Sequence, residues 1–224
     1  MALAGSACFE LPGGRGRLHL LAQRAAHDPD QSLLLVADAR IGKAVSFRRL
    51  GVPVPSGTTQ QALLRLDRLL AATAARHIVY LGDLLHSVRA QRSAALDAML
   101  AWRQRHAALR LTLVRGNHDL RAGDPPAALG IDGVDGPLRL GRWALQHQPA
   151  QVAGAYALAG HLHPGVVLHG RAHDRLSLPC FHFGPQSAVL PAFGAFTGLQ
   201  VLPRQAGDPV FAVLDGEPPR VLPL

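Results

Sequence analysis

The stretch SLLLVAD, residues 32–38, is a run of apolar residues that ends abruptly in a carboxylate, and the chain repeats the design twice. HIVYLGD (77–83) and LTLVRGNHDL (111–120) have the same form: a short Leu- and Val-rich run, then a Gly or a polar residue. Continuous apolar runs of this length suit strands covered on both faces. The intervals read as helices. Residues 59–75 put Leu63, Leu66, Leu69 and Leu70 on one stripe, leave Arg65 and Arg68 outside it, and offer Thr58 with Gln61 as a capping box. Residues 91–106 repeat the stripe with Leu96, Met99, Leu100 and Trp102, which makes Trp102 a core residue. Strand, helix, strand, helix, strand predicts an α/β fold around a parallel βαβ core, whose ligands gather outside the carboxyl ends of the strands. Asp38, Asp83 and Asn117 would all stand there.

Past residue 130 the texture changes. PLRLGRWALQH (137–147), YALAGHLHPGVVLHG (156–170), RLSLPCFHFG (175–184) and GLQVLP (198–203) are short runs parted by Gly, Pro and Asp. They predict a second sheet packed on the first. At 224 residues and 48% hydrophobic, the whole chain, 1–224, is expected to form one domain.

The formal charge of +8 is uneven: residues 1–110 hold 15 Lys and Arg against 7 Asp and Glu, and residues 111–224 hold 8 against 8. A basic half favours a polyanionic partner by concentrating phosphates and releasing counterions, although a solvated arginine-rich face gives the same count. Cys8 and Cys180 form no C-x-x-C pair and no disulfide framework, and no run approaches a membrane span. The expectation is a cytoplasmic protein with reduced thiols and no membrane partner.

The strand ends collect Asp38, Asp83, Asn117, His118 and Asp119, and later come His147 in LQHQ and His161 and His163 in AGHLHPG. Carboxylate, amide oxygen and imidazole without thiolate are ligands for a divalent ion such as Mn²⁺, with Zn²⁺, Fe, Ni²⁺ or Mg²⁺ as alternatives. Read as a strand, H-x-H aims both rings to one side, so two adjacent ions could each take one.

In these residues the chain resembles the calcineurin-like metallophosphoesterases. VADARIGK, YLGDLLHS, VRGNHDL, LQHQP and AGHLHP follow that family's D-x-H, G-D, G-N-H-D, H and G-H-x-H. GKAVSFRRLGVPVPSGTT (42–59) and LPAFGAFTG (190–198) are similar to its bacterial ligase-associated DNA-damage-response branch, whose members are regarded as DNA-processing phosphoesterases or endonucleases. The resemblance implies a four-layer αββα sandwich, two mixed sheets flanked by helices. It implies a metal-dependent phosphodiesterase acting on DNA beside a repair ligase and helicase. It further implies that Asp83 bridges two metals, that Asp38 and His163 complete one site, and that Asn117, His147 and His161 complete the other. His118 would meet the substrate phosphate or protonate the leaving oxygen, with Asp119 aiming its ring.

One position departs from the pattern: D-x-H here reads Asp38, Ala39, Arg40. Arginine has no lone pair to give and stays protonated. A guanidinium ~4 Å from a dication is repelled by about 8 kcal/mol at an effective dielectric constant of 20. Either Arg40 swings out, or its charge replaces one metal, so one or two ions per chain are expected; a third role is to clamp substrate phosphate. Lys43, Arg48 and Arg49 could grip a nucleic-acid backbone, and His86 could touch substrate. Two other functions stay open: hydrolysis of a small phosphodiester or nucleotide pyrophosphate, and DNA binding or scaffolding by a protein whose metal centre Arg40 has impaired.

Overall fold

The structure is a computed structural model that describes residues 4–11, 13–14, 16–43, 57–85, 94–170, 174–195 and 197–224. Arg48, Arg49 and His86 lie outside the described residues.

The three apolar runs form β4 (Leu33–Ala37), β5 (His77–Leu81) and β6 (Arg110–Val114), which lie side by side and parallel. Their register pairs Ala37 with Leu81 and Leu81 with Val114, so the three strands end level. β7 (Ile131–Val134) continues the parallel set beyond β6. On the other side β3 (Ala25–Asp28), β2 (Arg17–Leu21) and β1 (Ala7–Glu10) extend the sheet antiparallel, to seven described strands.

The second mixed sheet comprises nine described strands: β8 (Leu138–Leu140), β9 (Trp143–Leu145), β10 (Tyr156–Ala159), β11 (Pro164–His169), β12 (Arg175–Phe183), β13 (Ser187–Val189), β14 (Gln200–Val201), β15 (Val210–Leu214) and β16 (Arg220–Pro223). β10 runs parallel to β9 and β13, whereas β12 runs antiparallel to β11, β13 and β15.

Strand alternation sorts the side chains of the first sheet into two cores. Leu33, Leu35, Val79, Leu81 and Val114 face the second sheet and meet Trp143, Leu158, Phe181, Phe183 and Val213. Leu34, Val36, Ile78, Tyr80, Leu111 and Leu113 face the opposite way, into α1 (Thr58–Thr73) and α2 (Ala94–Arg105) through Leu63, Leu66, Leu69, Met99 and Trp102. This is why β4, β5 and β6 show no polar face. The sandwich of two mixed sheets in an α/β fold is the one expected, and both long helices among the described residues cover the first sheet. No helix among the described residues is long and apolar enough to cross a membrane.

Two local expectations are corrected. The first residue of α1 is preceded by Gly57 in the left-handed region (φ 87°), with no side-chain cap hydrogen bond, so the Thr58–Gln61 capping box does not form. Arg65, expected outside the stripe, folds inward: its guanidinium lies 4.0 Å over the Phe193 ring and donates to the Phe193 carbonyl. Burial lowers its pKa to about 10.

Candidate metal centre

Because β4, β5 and β6 end level, the residues just beyond them share one edge. Asp38 and Asp83 leave their strands in the left-handed region, at φ 49° and 50°, and both are fully buried. The same backbone recurs at Arg40, His161 and His163 (φ 47°, 71° and 47°). Such torsions cost on the order of 1 kcal/mol or more for a side-chain-bearing residue, so five at one edge mean that the surroundings hold a strained, fixed geometry. His161 and His163 therefore sit in a turn between β10 and β11. The expectation of H-x-H on a strand is corrected, and the two rings go to different partners.

Two glycines let the donors approach. A Cβ on Gly160 would stand 2.5 Å from Asp38 Oδ2, and one on Gly116 would stand 2.6 Å from Asp83 Oδ1. The legible signal is a glycine directly before a donor, in GN and GH, where only the missing Cβ permits the approach. Phe193 and Gly194 buttress the same edge: Phe193 N–H donates to Ala37 O (2.8 Å) and Gly194 N–H to Asp38 O (3.0 Å), with Arg65 behind Phe193.

On one side of Asp83 three donors meet at the His147 ring. Nδ1 of His147 lies 3.0 Å from the Leu81 carbonyl, which can only accept, so in the neutral ring Nδ1 carries the proton and Nε2 keeps a lone pair. That lone pair faces Asn117 Oδ1 and His161 Nδ1, both at 3.0 Å, and Asp83 Oδ1 at 3.6 Å. Lone pairs gathered in this way are the arrangement that a bound cation uses. Donors ~2.1 Å from a shared ion stand about 3 Å apart, which is the spacing found. The Nδ1–H to carbonyl bond is the outer contact that orients a metal-binding imidazole. Asp38, Asp83 and His147 also present ligand atoms within 4.8 Å of one another. These residues fit a divalent ion.

The other side is different. Arg40 points inward, with Nη2 2.7 Å from Asp83 Oδ2 and 3.8 Å from Asp38 Oδ1, and its side chain is 14% exposed. The donors expected there remain in position: His163 Nε2 is 3.3 Å from Asp38 Oδ1, and both atoms are buried without a hydrogen bond. The guanidinium takes the Asp83 oxygen that a second ion would need, so this side does not fit a metal.

Burial works to raise the Asp38 carboxyl, but the adjacent His163 ring, the charge of His147 and the His161 N–H (2.7 Å) hold it below the ordinary range. Burial, then the nearby His147, lowers His161. Lys43 is half-buried beside Arg40, and burial and that guanidinium lower its pKa.

His118 stands in the first turn of α3 (Asn117–Ala122), partly exposed, with its N–H on Asp83 Oδ1 (3.1 Å) and its Nε2 3.9 Å from Asp83 Oδ2. The Asp119 oxygens take the backbone N–H groups of Asp83 (2.6 Å), Gly116 (2.8 Å) and Leu84 (3.1 Å), so its carboxylate serves the main chain, a role the sequence did not announce. Burial nonetheless pushes its pKa up, against the pull of the amides. Beside Asn117 and His147 opens a cleft of about 310 Å³, lined also by Arg115, Leu120, Gln146 and Gln148.

Among solved structures, the Pseudomonas putida nuclease MPE is 42% identical to this chain over 98% of it and 100% of the other, with a TM-score of 0.84. Yfce, a phosphoesterase from E. coli, is 16% identical over 81% of this chain and 86% of its own, with a TM-score of 0.38. No family model and no curated protein matches the chain.

Proposed function

Since the chain belongs to the calcineurin-like metallophosphoesterase family, we propose that it is a metal-dependent phosphodiesterase that cuts DNA, with Mn²⁺ as its ion. One observation carries the reading: His147 Nε2, Asn117 Oδ1 and Asp83 Oδ1 converge at the spacing of donors that share one divalent ion. The relative at 42% identity is a nuclease by name, and the formal charge of +8 suits a phosphate backbone.

A divalent ion in this position supplies Lewis acidity toward the phosphoryl oxygens and a water acidified enough to attack near neutral pH. The chain's own residues do the rest. Asn117, His147 and His161 would hold the ion beside the cleft, and the Leu81 carbonyl fixes the His147 tautomer. His118, partly exposed and next to Asn117 in the chain, gives a proton to the departing oxygen, a contribution of roughly 10²–10⁴-fold. Asp119 keeps the Asp83 and Gly116 turns together so that Asn117 and His118 stay in place. Lys43, beside Arg40, Gly42, Thr58 and Thr59, adds positive charge where a nucleic-acid strand would run.

The test is hydrolysis by the Mn²⁺-loaded protein of bis-p-nitrophenyl phosphate and of single-stranded, duplex and gapped DNA. Turnover of the chromogenic diester with no DNA cut would replace DNA with a small phosphodiester or nucleotide pyrophosphate, which the 310 Å³ cleft also suits. DNA binding that weakens steeply with salt, with no cleavage of either substrate, would select the scaffold reading, which the inward Arg40 favours. Work beside a ligase and helicase in the cytoplasm is the setting this function implies.

A further inference from the structure

We propose that this centre binds a single divalent ion, on the Asn117, His147 and His161 side of Asp83, and that the Arg40 guanidinium is the permanent second cation that receives a phosphate oxygen of the substrate. Its role toward phosphate rests on the function proposed above; the number of ions does not.

Arg40 is fixed at both ends. Its backbone N–H donates to Asp83 O at 2.8 Å, and Ile41 N–H donates to Leu84 O at 2.8 Å, which locks the turn that carries it. Its Nη2 bonds Asp83 Oδ2 at 2.7 Å, so main chain and side chain grip the same residue. The group lies where the second ion would need both Asp83 Oδ2 and Asp38 Oδ1. A second divalent ion would add two positive charges beside a guanidinium that already holds Asp83 Oδ2, so the two cations compete for one carboxylate oxygen. The Arg40 side chain stays 14% exposed, so its planar fork remains within reach of an anionic oxygen that enters from solvent.

Asp38 Oδ1 and His163 Nε2 stay 3.3 Å apart with neither hydrogen-bonded, which leaves the second site complete except for the arginine. Replacing Arg40 with a ligand should therefore open it.

The experiment titrates metal-free full-length protein with MnCl₂ and counts bound Mn²⁺ per chain by elemental analysis after gel filtration, with electron paramagnetic resonance on the same samples. The wild type should hold one ion with the spectrum of an isolated Mn²⁺; Arg40→His should hold two, with a spin-coupled spectrum. Two tight ions in the wild type, or none, overturns the proposal, as does a folded Arg40→His that still holds one. If Arg40→His fails to fold, Arg40→Gln takes its place in a phosphate test: KM for bis-p-nitrophenyl phosphate should rise at least tenfold with the ion count unchanged, and an unchanged KM refutes the clamp. One ion bound but no diester hydrolysed would sink the proposed function and leave the count standing. Hydrolysis with two ions bound would do the reverse.

Discussion

Asp119 accepts the backbone N–H of Asp83 at 2.6 Å, so the residue that follows His118 in sequence secures a strand end on the neighbouring β5. The same carboxylate takes Gly116 and Leu84 N–H groups, and it is 3% exposed. It therefore ties the two turns that carry Asp83 and Asn117.

Asp119→Asn replaces one accepting oxygen with an N–H₂ that faces backbone donors. Losing charge-assisted bonds to buried amides should cost about 2–3 kcal/mol and lower Tm by roughly 5–10 °C. Thermal unfolding followed by circular dichroism checks it. A Tm within a degree of wild type would show that the clamp is dispensable.

His147→Ala removes the ring on which Asn117, His161 and Asp83 converge. Loss of an outer partner alone weakens metal binding by 10–100-fold, so loss of the ligand itself should exceed about 100-fold. Calorimetric titration with Mn²⁺ measures this directly, without reference to turnover.

Gly160→Ala places a methyl 2.5 Å from Asp38 Oδ2 and 3.0 Å from the Leu81 carbonyl. Neither neighbour is the free end of a flexible chain, so overpacking should cost about 1–3 kcal/mol. Chemical denaturation should report the loss, and Mn²⁺ affinity should fall with it as Asp38 is pushed aside.

His118→Ala should lower the turnover of a phosphodiester by 10²–10⁴-fold while the bound metal stays the same, because the side chain removed is the proposed proton donor and the ion's ligands are left intact. Parallel kinetics and metal counting separate this outcome from collapse of the centre. The loss should be smallest for a diester with a good leaving group, which needs little protonation.

His77 gives a pH dependence away from the centre. Burial, then the Arg110 charge, lowers its pKa from the ordinary 6.5 to about 4, and its Nε2 lies 2.9 Å from Thr112 Oγ1. A depressed histidine pKa means that the unfolded chain takes up a proton first. The stabilisation is thus complete above pH 6.5 and is lost as the pH falls toward 4. Solvent screening at this half-buried site reduces the effect to about 1–2 kcal/mol. Urea midpoints at pH 7 and 4.5 should differ less in His77→Gln than in the wild type.

The local sequence determined the strand, helix, strand order of the first sheet, because unbroken Leu and Val runs suit only strands covered on both faces, and β4, β5 and β6 fall inside those runs. It also supplied the donor set, since an oxygen and nitrogen inventory is a property of residue type. Tertiary structure decided how those groups are used. Arg40 has a long side chain with many rotamers, and the inward one wins because Asp83, 43 residues away, offers a buried carboxylate. Asp119 could bond a neighbouring ring or distant amides, and only the level ends of β5 and β6 bring three N–H groups to it. His161 and His163 serve different partners because a left-handed turn, not a strand, carries them, and no period in the sequence announces that backbone.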